Sequence, residues 1–336
     1  MDPVDDFWAC SFVLDPAGPV RLVSAASGLV IAAGNSLHVL RPGSQRLRSR
    51  ALPPDLEVVA VAAEPWSPHR LAIASPTSVG VYTGHQPHEP LQEIRFTGPK
   101  FGATHLAWCQ HDGATVLYLR QRTGEVARLN LDDATTSTLT APPVVAIAGD
   151  EKGVFAMLDL NPVEPANVGD AWILPAGARE WTTRWVDCGT LDEEDQWRIH
   201  LAVHGAAVAY SMDPLDTTEL SGSVETSWEE EEEEGPCSFA SAPGVFMGPI
   251  AFQSERVIFA AYNVEGKVNV LRHERNGSFT RIARFGLDDA WEGTEATVTA
   301  LAWDSERRAL WAASPELGLI KLTDPRGAGG KKVAPN

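Results

Sequence analysis

Between Glu57 and Phe96 the chain reads EVVAVAAEPWSP, HRLAIASPTS, VGVYTG and PLQEIRF, four short apolar runs separated by Pro, Gly, Ser and His. Short runs rich in Val, Ile, Leu and Tyr between turn formers predict a four-stranded antiparallel meander rather than a helix. The same order recurs along the chain. Val20 to Ala25, Leu29 to Ala33, Ser36 to Arg41 and Gln45 to Leu52 form one such unit, with a hairpin signal at Gly34-Asn35. His105 to Cys109, Thr115 to Gln121, Glu125 to Asn130 and Thr135 to Thr140 form another. Val144 to Ala148, Gly153 to Leu158, Ala171 to Leu174 and Glu180 to Val186 follow, interrupted by the Pro-containing loop Asn161 to Gly169. A fifth unit starts with Trp197 to Val203 and Ala206 to Met212, and then drifts into polar sequence. Its later strands are expected at Thr217 to Leu220 and Ser223 to Trp228. The sixth comprises Gly248 to Gln253, Arg256 to Tyr262, Lys267 to Arg272 and Phe279 to Phe285.

The final unit has only Thr297 to Trp303, Ala309 to Ser314 and Gly318 to Leu322, while Phe7 to Leu14 stands alone at the start. Lending that first strand to the last unit removes two exposed edges at once. The pattern therefore predicts an all-β chain: a seven-bladed β-propeller of four-stranded antiparallel blades, its ring closed by the N-terminal strand. The repeat period of about 45 residues fits propeller blades. Residues 1–326 form a single domain in this reading and 327–336 a disordered tail.

Composition narrows the function. The net charge of −18, from 45 acidic and 27 basic residues, opposes a phosphate backbone and an anionic membrane surface, so no nucleic-acid or membrane partner is expected. Asp2, Asp5 and Asp6 stand where a signal peptide needs positive charge, which predicts a cytoplasmic protein. Cys10, Cys109, Cys188 and Cys237 contain no CxxC pair, so reduced thiols without a disulfide or a zinc site are expected.

The segments VVAVAAEPWSP (58–68), THLAWCQHDG (104–113) and VTALAWDSER (298–307) resemble the start of a WD-repeat blade. The likeness extends over nearly the whole chain. It departs from the family pattern in two ways. Gly-His is absent at the blade starts, and the closing Trp-Asp is replaced by Val81-Tyr82, Arg128-Leu129 or Lys321-Leu322, while Trp303-Asp304 follows a first strand rather than a third. The chain resembles a degenerate, bacterial-type WD-repeat-like propeller. That resemblance implies an interaction scaffold, and its general character is similar to propellers encoded with MoxR-type ATPases.

Candidate chemistry is sparse. His200 and His204 are spaced like the histidines of a zincin, but they sit on an alternating strand without the glutamate. His85 and His88 share a Pro-containing loop to which no set of metal ligands is assigned. No P-loop, GxGxxG or GxSxG occurs. No catalytic residue, metal or cofactor is therefore assigned.

Two features stand out as partner-binding candidates. One is Trp228 followed by Glu229, Glu230, Glu231, Glu232, Glu233 and Glu234, a self-repelling run expected as a solvated loop between blades five and six. The other is Trp172, Trp181, Trp185 and Trp197, set near Asp187 and the acidic stretch Asp192 to Asp195. Tryptophan beside charge suits a binding hot spot, and it equally suits a blade core. Trp66, Trp108 and Trp303 recur at equivalent places and are expected to pack between blades. The leading expectation is a non-catalytic scaffold or adaptor for one or more proteins, with an ATPase-containing bacterial assembly as one setting. The alternative is a propeller enzyme, a metal-dependent hydrolase or lactonase acting at the channel mouth.

Overall fold

The computed structural model describes residues 8–12, 20–25, 28–33, 36–40, 47–52, 57–66, 70–83, 92–98, 101–131, 135–139, 144–159, 168–187, 197–214, 224–228, 238–241, 248–262, 267–274, 279–286, 297–305, 308–314 and 316–323. Among these residues the regular structure is β-strand apart from one short turn at Phe101.

The strands join into four-stranded antiparallel sheets in chain order. The first sheet holds β2 (Val20–Ala25), β3 (Gly28–Ala33), β4 (Ser36–Leu40) and β5 (Leu47–Ala51). The second holds β6 (Ala60–Ala63), β7 (Arg70–Ala74), β8 (Ser78–Thr83) and β9 (Gln92–Thr97). Next come β10 (Ala103–His111), β11 (Ala114–Gln121), β12 (Val126–Leu129) and β13 (Thr136–Thr138). The fourth sheet is β14 (Val144–Gly149), β15 (Phe155–Asp159), β16 (Val168–Leu174) and β17 (Thr182–Asp187). The fifth is β18 (Trp197–His204), β19 (Ala207–Pro214), β20 (Val224–Trp228) and β21 (Ser238–Ser241). The sixth is β22 (Ile250–Ser254), β23 (Val257–Tyr262), β24 (Lys267–His273) and β25 (Phe279–Gly286). The remaining sheet contains β26 (Ala300–Asp304), β27 (Ala309–Ser314) and β28 (Gly318–Thr323), with β1 (Trp8–Phe12) paired to β28 from Trp8↔Thr323 to Phe12↔Leu319.

The first strands of successive sheets pack on one another: β2 on β6, β6 on β10, β10 on β14, β14 on β18, β18 on β22, β22 on β26, and β26 back on β2. The molecule is an all-β propeller.

Its core is divided between the sheets rather than pooled at the centre. Leu37, Leu71, Ile73 and Tyr82 fill the space between the first and second sheets, and Trp108, Leu117, Val79 and Val81 that between the second and third. Trp311 and Leu319 meet Leu29 and Ile31 where the last sheet meets the first. Alternating strands explain this division. Each sheet must bury both faces, so its middle strands carry apolar residues at nearly every position, as in β15 (FAMLD) and β27 (ALWAAS), which are buried throughout. Each fully buried Leu or Ile contributes about 1.5–3 kcal/mol, which makes every inter-sheet layer a separate source of stability.

Trp66, Trp108 and Trp303 take up the inter-sheet positions expected of them. Trp108 is buried and donates its indole N–H to the Ala62 carbonyl of the neighbouring sheet at 3.0 Å. Trp303 lies against Phe259 of the preceding sheet, with ring centroids 5.2 Å apart. Trp66 packs against the second and third sheets' shared core.

Two sequence expectations need correction in the fifth sheet. Its third strand is Val224–Trp228, and its fourth is Ser238–Ser241, a strand not expected from the sequence. The segment between Trp228 and Ser238, which contains the glutamate run, therefore joins two strands of one sheet and does not lie between blades five and six. The SFAS strand offers a single large apolar residue, too little alternation to be read as a strand. The expected strand at Thr217 to Leu220 and the run at 229–234 themselves lie outside the described residues.

Close approach of sheets fixes some backbone positions. A Cβ at Gly102 would stand 1.9 Å from the Pro76 carbonyl oxygen of the adjacent sheet. Gly102→Ala must push backbone against backbone, and a loss of at least about 2 kcal/mol in urea unfolding is expected. An unchanged midpoint would mean that the two turns are not in contact.

Candidate interaction surfaces

The turns that follow the first strands converge at one end of the ring. Asp150, just after β14, is buried and its carboxylate is fully used. Its Oδ1 accepts the Lys152 and Val154 N–H groups at 2.8 and 2.9 Å, and its Oδ2 accepts the Gly205 N–H of the next sheet at 2.8 Å. Ser305, after β26, donates to Glu151 Oε2 at 2.9 Å, joining turns of sheets that are not neighbours. Lys152 lies 3.6 Å from Glu255, and Arg179 donates to Asp112 at 2.5 Å. Polar and charged side chains of turns from the third, fourth, sixth and last sheets are thus linked to one another. The sequence held a signal for it, since all of these residues except Arg179, which lies between β16 and β17, occupy the turn after a first strand, but only superposition of the units would have grouped them.

Between the third and fourth sheets lies a cluster of titratable and aromatic groups. The Tyr118 hydroxyl and His111 Nδ1 are 2.6 Å apart, and Tyr118 stacks on Phe155 at 4.2 Å. Burial holds the imidazole below its usual range, helped by the Arg128 charge and opposed by the Asp112 charge. The phenol itself is pushed up by burial and then by the adjacent Cys109. Cys109 is a buried free thiol raised to about 12, first by burial and then by the Asp150 charge, with Arg128 opposing, and its S–H points to the Gly153 carbonyl at 3.4 Å. A thiol so raised is protonated at neutral pH and does not act as a nucleophile there. Cys109 is expected to resist iodoacetamide in the folded protein and to react on unfolding, followed by peptide mass spectrometry; rapid labelling of native Cys109 would contradict this burial. The other three cysteines lie in positions whose side chains are outside the described residues.

The His111 shift has a sign for stability. Its folded-state value is depressed, so the unfolded chain binds the extra proton first as pH falls below the ordinary imidazole range. Stability should decline through that window, and His111→Gln should shrink the decline; equal pH profiles for variant and parent would remove His111 from the effect.

Two of the expected hot-spot tryptophans belong to this same cluster. Trp181 meets Tyr118 and Phe155 edge-on at 6.5 and 5.7 Å. Trp172 packs on the same apolar layer and donates its indole N–H to Asp159 Oδ2 at 2.7 Å, so its polar end is satisfied inside the molecule. Asp159 also accepts the Asp170 N–H, and Asp170 is raised by burial and by the Asp159 charge. Trp185 stands opposite Asp170 in the β16–β17 register, Trp197 begins β18 opposite Pro214, and Trp228 ends β20 opposite Ser238. The structure thus brings Trp172 and Trp181 together but places Trp197 and Trp228 in the next sheet. Glu229, Glu230, Glu231, Glu232, Glu233 and Glu234, like His85 and His88, lie outside the described residues. His200 and His204 lie on β18, and His204 stacks on Phe252 at 6.1 Å.

No family model matches the chain, and no curated protein does. Among solved structures, a chain from the crystal structure of a mitotic checkpoint complex superposes with a TM-score of 0.67 at 14% identity, covering 96% of this chain and 95% of that one. At that identity the likeness concerns the fold alone. It agrees with a β-propeller fold over nearly the full length. Among the described residues no helix is long and apolar enough to cross a membrane.

Proposed function

We propose that this chain is a seven-bladed propeller closed by its N-terminal strand, and that it works as a non-catalytic scaffold holding protein partners in a larger assembly. The observation that carries the function is how the polar groups at the convergent turns and in the cluster between the third and fourth sheets are used. Asp150, Asp159, Tyr118, His111 and Trp172 are each engaged by a neighbouring group, which suits a rigid platform. The closure is supported by the five-residue register of β1 on β28 and the packing of β26 on β2. We set the chain in the cytoplasm, on the acidic residues Asp2, Asp5 and Asp6 near its start, and take an ATPase-containing bacterial assembly as one setting on the general character of the sequence alone. That the solved structure with a similar fold comes from a multiprotein complex fits protein partners.

Affinity capture with the intact chain, followed by reconstitution of each captured protein from purified components, tests the reading. Saturable, stoichiometric complexes are expected. A stoichiometric divalent metal in the purified protein together with hydrolase or lactonase turnover would replace the scaffold with the enzyme alternative.

Within this reading the glutamate run solvates the protein. Replacing Glu229 to Glu234 with Gln should reduce solubility and leave partner association within about threefold. A fall in association rate beyond about tenfold, equivalent to ~1.4 kcal/mol, would make the run an electrostatic hook.

A further inference from the structure

Charge is distributed unevenly along this acidic chain. Residues 16–54 contain Arg21, Arg41, Arg46, Arg48 and Arg50 and not one Asp or Glu, within a chain whose net charge is −18. This stretch is the first sheet, and its outermost strand β5 carries Arg48, Ser49 and Arg50 exposed. Arg48 stands opposite Val39 and Arg50 opposite Leu37. Residues opposed in antiparallel register share a face, and Leu37 belongs to the apolar layer between the first and second sheets. The two arginines therefore lie on the side turned toward the second sheet. His38, on the other side, is held below its usual range by burial and bonds Ser49 at 2.7 Å.

The second sheet answers across the gap. Tyr82 is in the same apolar layer and stands opposite Glu93, while Gly80 stands opposite Arg95, so Glu93 and Arg95 face back toward β5. Glu93 is already engaged: its Oε1 accepts the Tyr82 hydroxyl at 3.0 Å and lies 3.7 Å from Arg95 Nε. The facing sides of β5 and β9 at the outer rim thus carry three arginines and one internally paired carboxylate, and the space between them is called the groove. β5 is also the last strand of its sheet, so its outer backbone edge has no strand beside it in the sheet order.

We propose that this groove binds an acidic, extended segment of a protein partner, added along β5 as a further strand. The proposal deepens the scaffold reading by naming the chemistry of one partner, and it rests on that reading. Arg48 and Arg50 are two residues apart, so they are about 7 Å apart along the strand, the spacing of alternate side chains in an extended peptide. Carboxylates at every second position of the incoming strand meet both guanidinium groups, while its backbone pairs with the open edge. A nucleic acid has no peptide groups to pair there, and the charge of −18 over the chain repels it.

Fluorescence anisotropy with a labelled peptide of alternating Glu and Val tests this on the intact protein. A peptide of alternating Lys and Val and a single-stranded DNA of matched charge serve as controls. Saturable binding of the acidic peptide is expected, weakened at least tenfold by Arg48→Glu with Arg50→Glu and about threefold or more by the Arg48→Gln, Arg50→Gln pair, with melting temperatures unchanged. Raising NaCl from 50 to 500 mM should weaken binding further. No saturable binding, equal binding by the arginine variants, or DNA bound as tightly as the acidic peptide would overturn the proposal. The scaffold reading fails separately: partners captured and reconstituted with the arginine variants at parental affinity leave it standing while the groove falls.

Discussion

Removing residues 1–14 should cost on the order of 5 kcal/mol or abolish soluble expression, a loss comparable with the whole stability of many domains. The reason lies at β28. Its Leu319, Ile320 and Leu322 are buried, and its outer edge pairs with β1 over five residues from Trp8↔Thr323 to Phe12↔Leu319. Without β1 that edge is bare, and an exposed apolar edge both loses its ladder and invites pairing with other chains. Differential scanning calorimetry and size-exclusion chromatography of the truncated protein check this. A truncated protein that is monomeric and melts with the parent would show that the sheet of β26, β27 and β28 needs no fourth strand.

The second large effect is expected at Asp150. Its carboxylate accepts three backbone N–H groups, two in its own turn and one from Gly205 in the next sheet. Asp150→Ala leaves all three without that acceptor; at about 1–3 kcal/mol for the buried Val154 N–H and about 0.5–1 kcal/mol for each of the two part-buried ones, the loss should be about 2–5 kcal/mol. Asp150→Asn retains one acceptor oxygen and should fall between the variant and the parent. Urea unfolding at 25 °C measures both. If Asp150→Ala costs less than about 1 kcal/mol, water replaces the carboxylate and the turn does not bind the two sheets together.

The sequence was informative wherever a strand packs on two neighbours. Runs such as VVAIAG in β14 and VIFAAY in β23 need apolar side chains on both faces, and their turns carry Gly, Asp or Asn, so both existence and position could be read. Outer strands were harder, because an edge strand needs few buried residues; Ser238–Ser241 has only Phe239 to mark it. For the same reason sequence pattern alone does not show that the glutamate run joins β20 to β21.

The tryptophans failed to separate on different grounds. Composition near Trp172 and Trp181 fits either a hot spot or a core, and the choice depends on which sheet face each side chain takes. Asp159 and Phe155 decide it for these two, the first by accepting the Trp172 indole N–H and the second by meeting Trp181 edge-on. The arginines of β5 carried a readable signal, an acid-free stretch of 39 residues (16 through 54) in an acidic chain, that strand patterning alone does not register.

The pairing of Trp8 with Thr323 also places a demand on synthesis. A ribosome adds about 5–20 residues per second. The strand made first therefore waits roughly 15–60 s for the strand it pairs with to emerge. Throughout that interval the nascent chain holds an apolar segment at one end and, blade by blade, a growing stack whose newest sheet is still unmatched. Contacts of such long sequence separation form slowly, since the loop between them must be closed before they repay it. Pairing of β1 with β28 cannot precede the emergence of β28, and a chaperone that shields β1 until then should raise the yield more than one that acts after release.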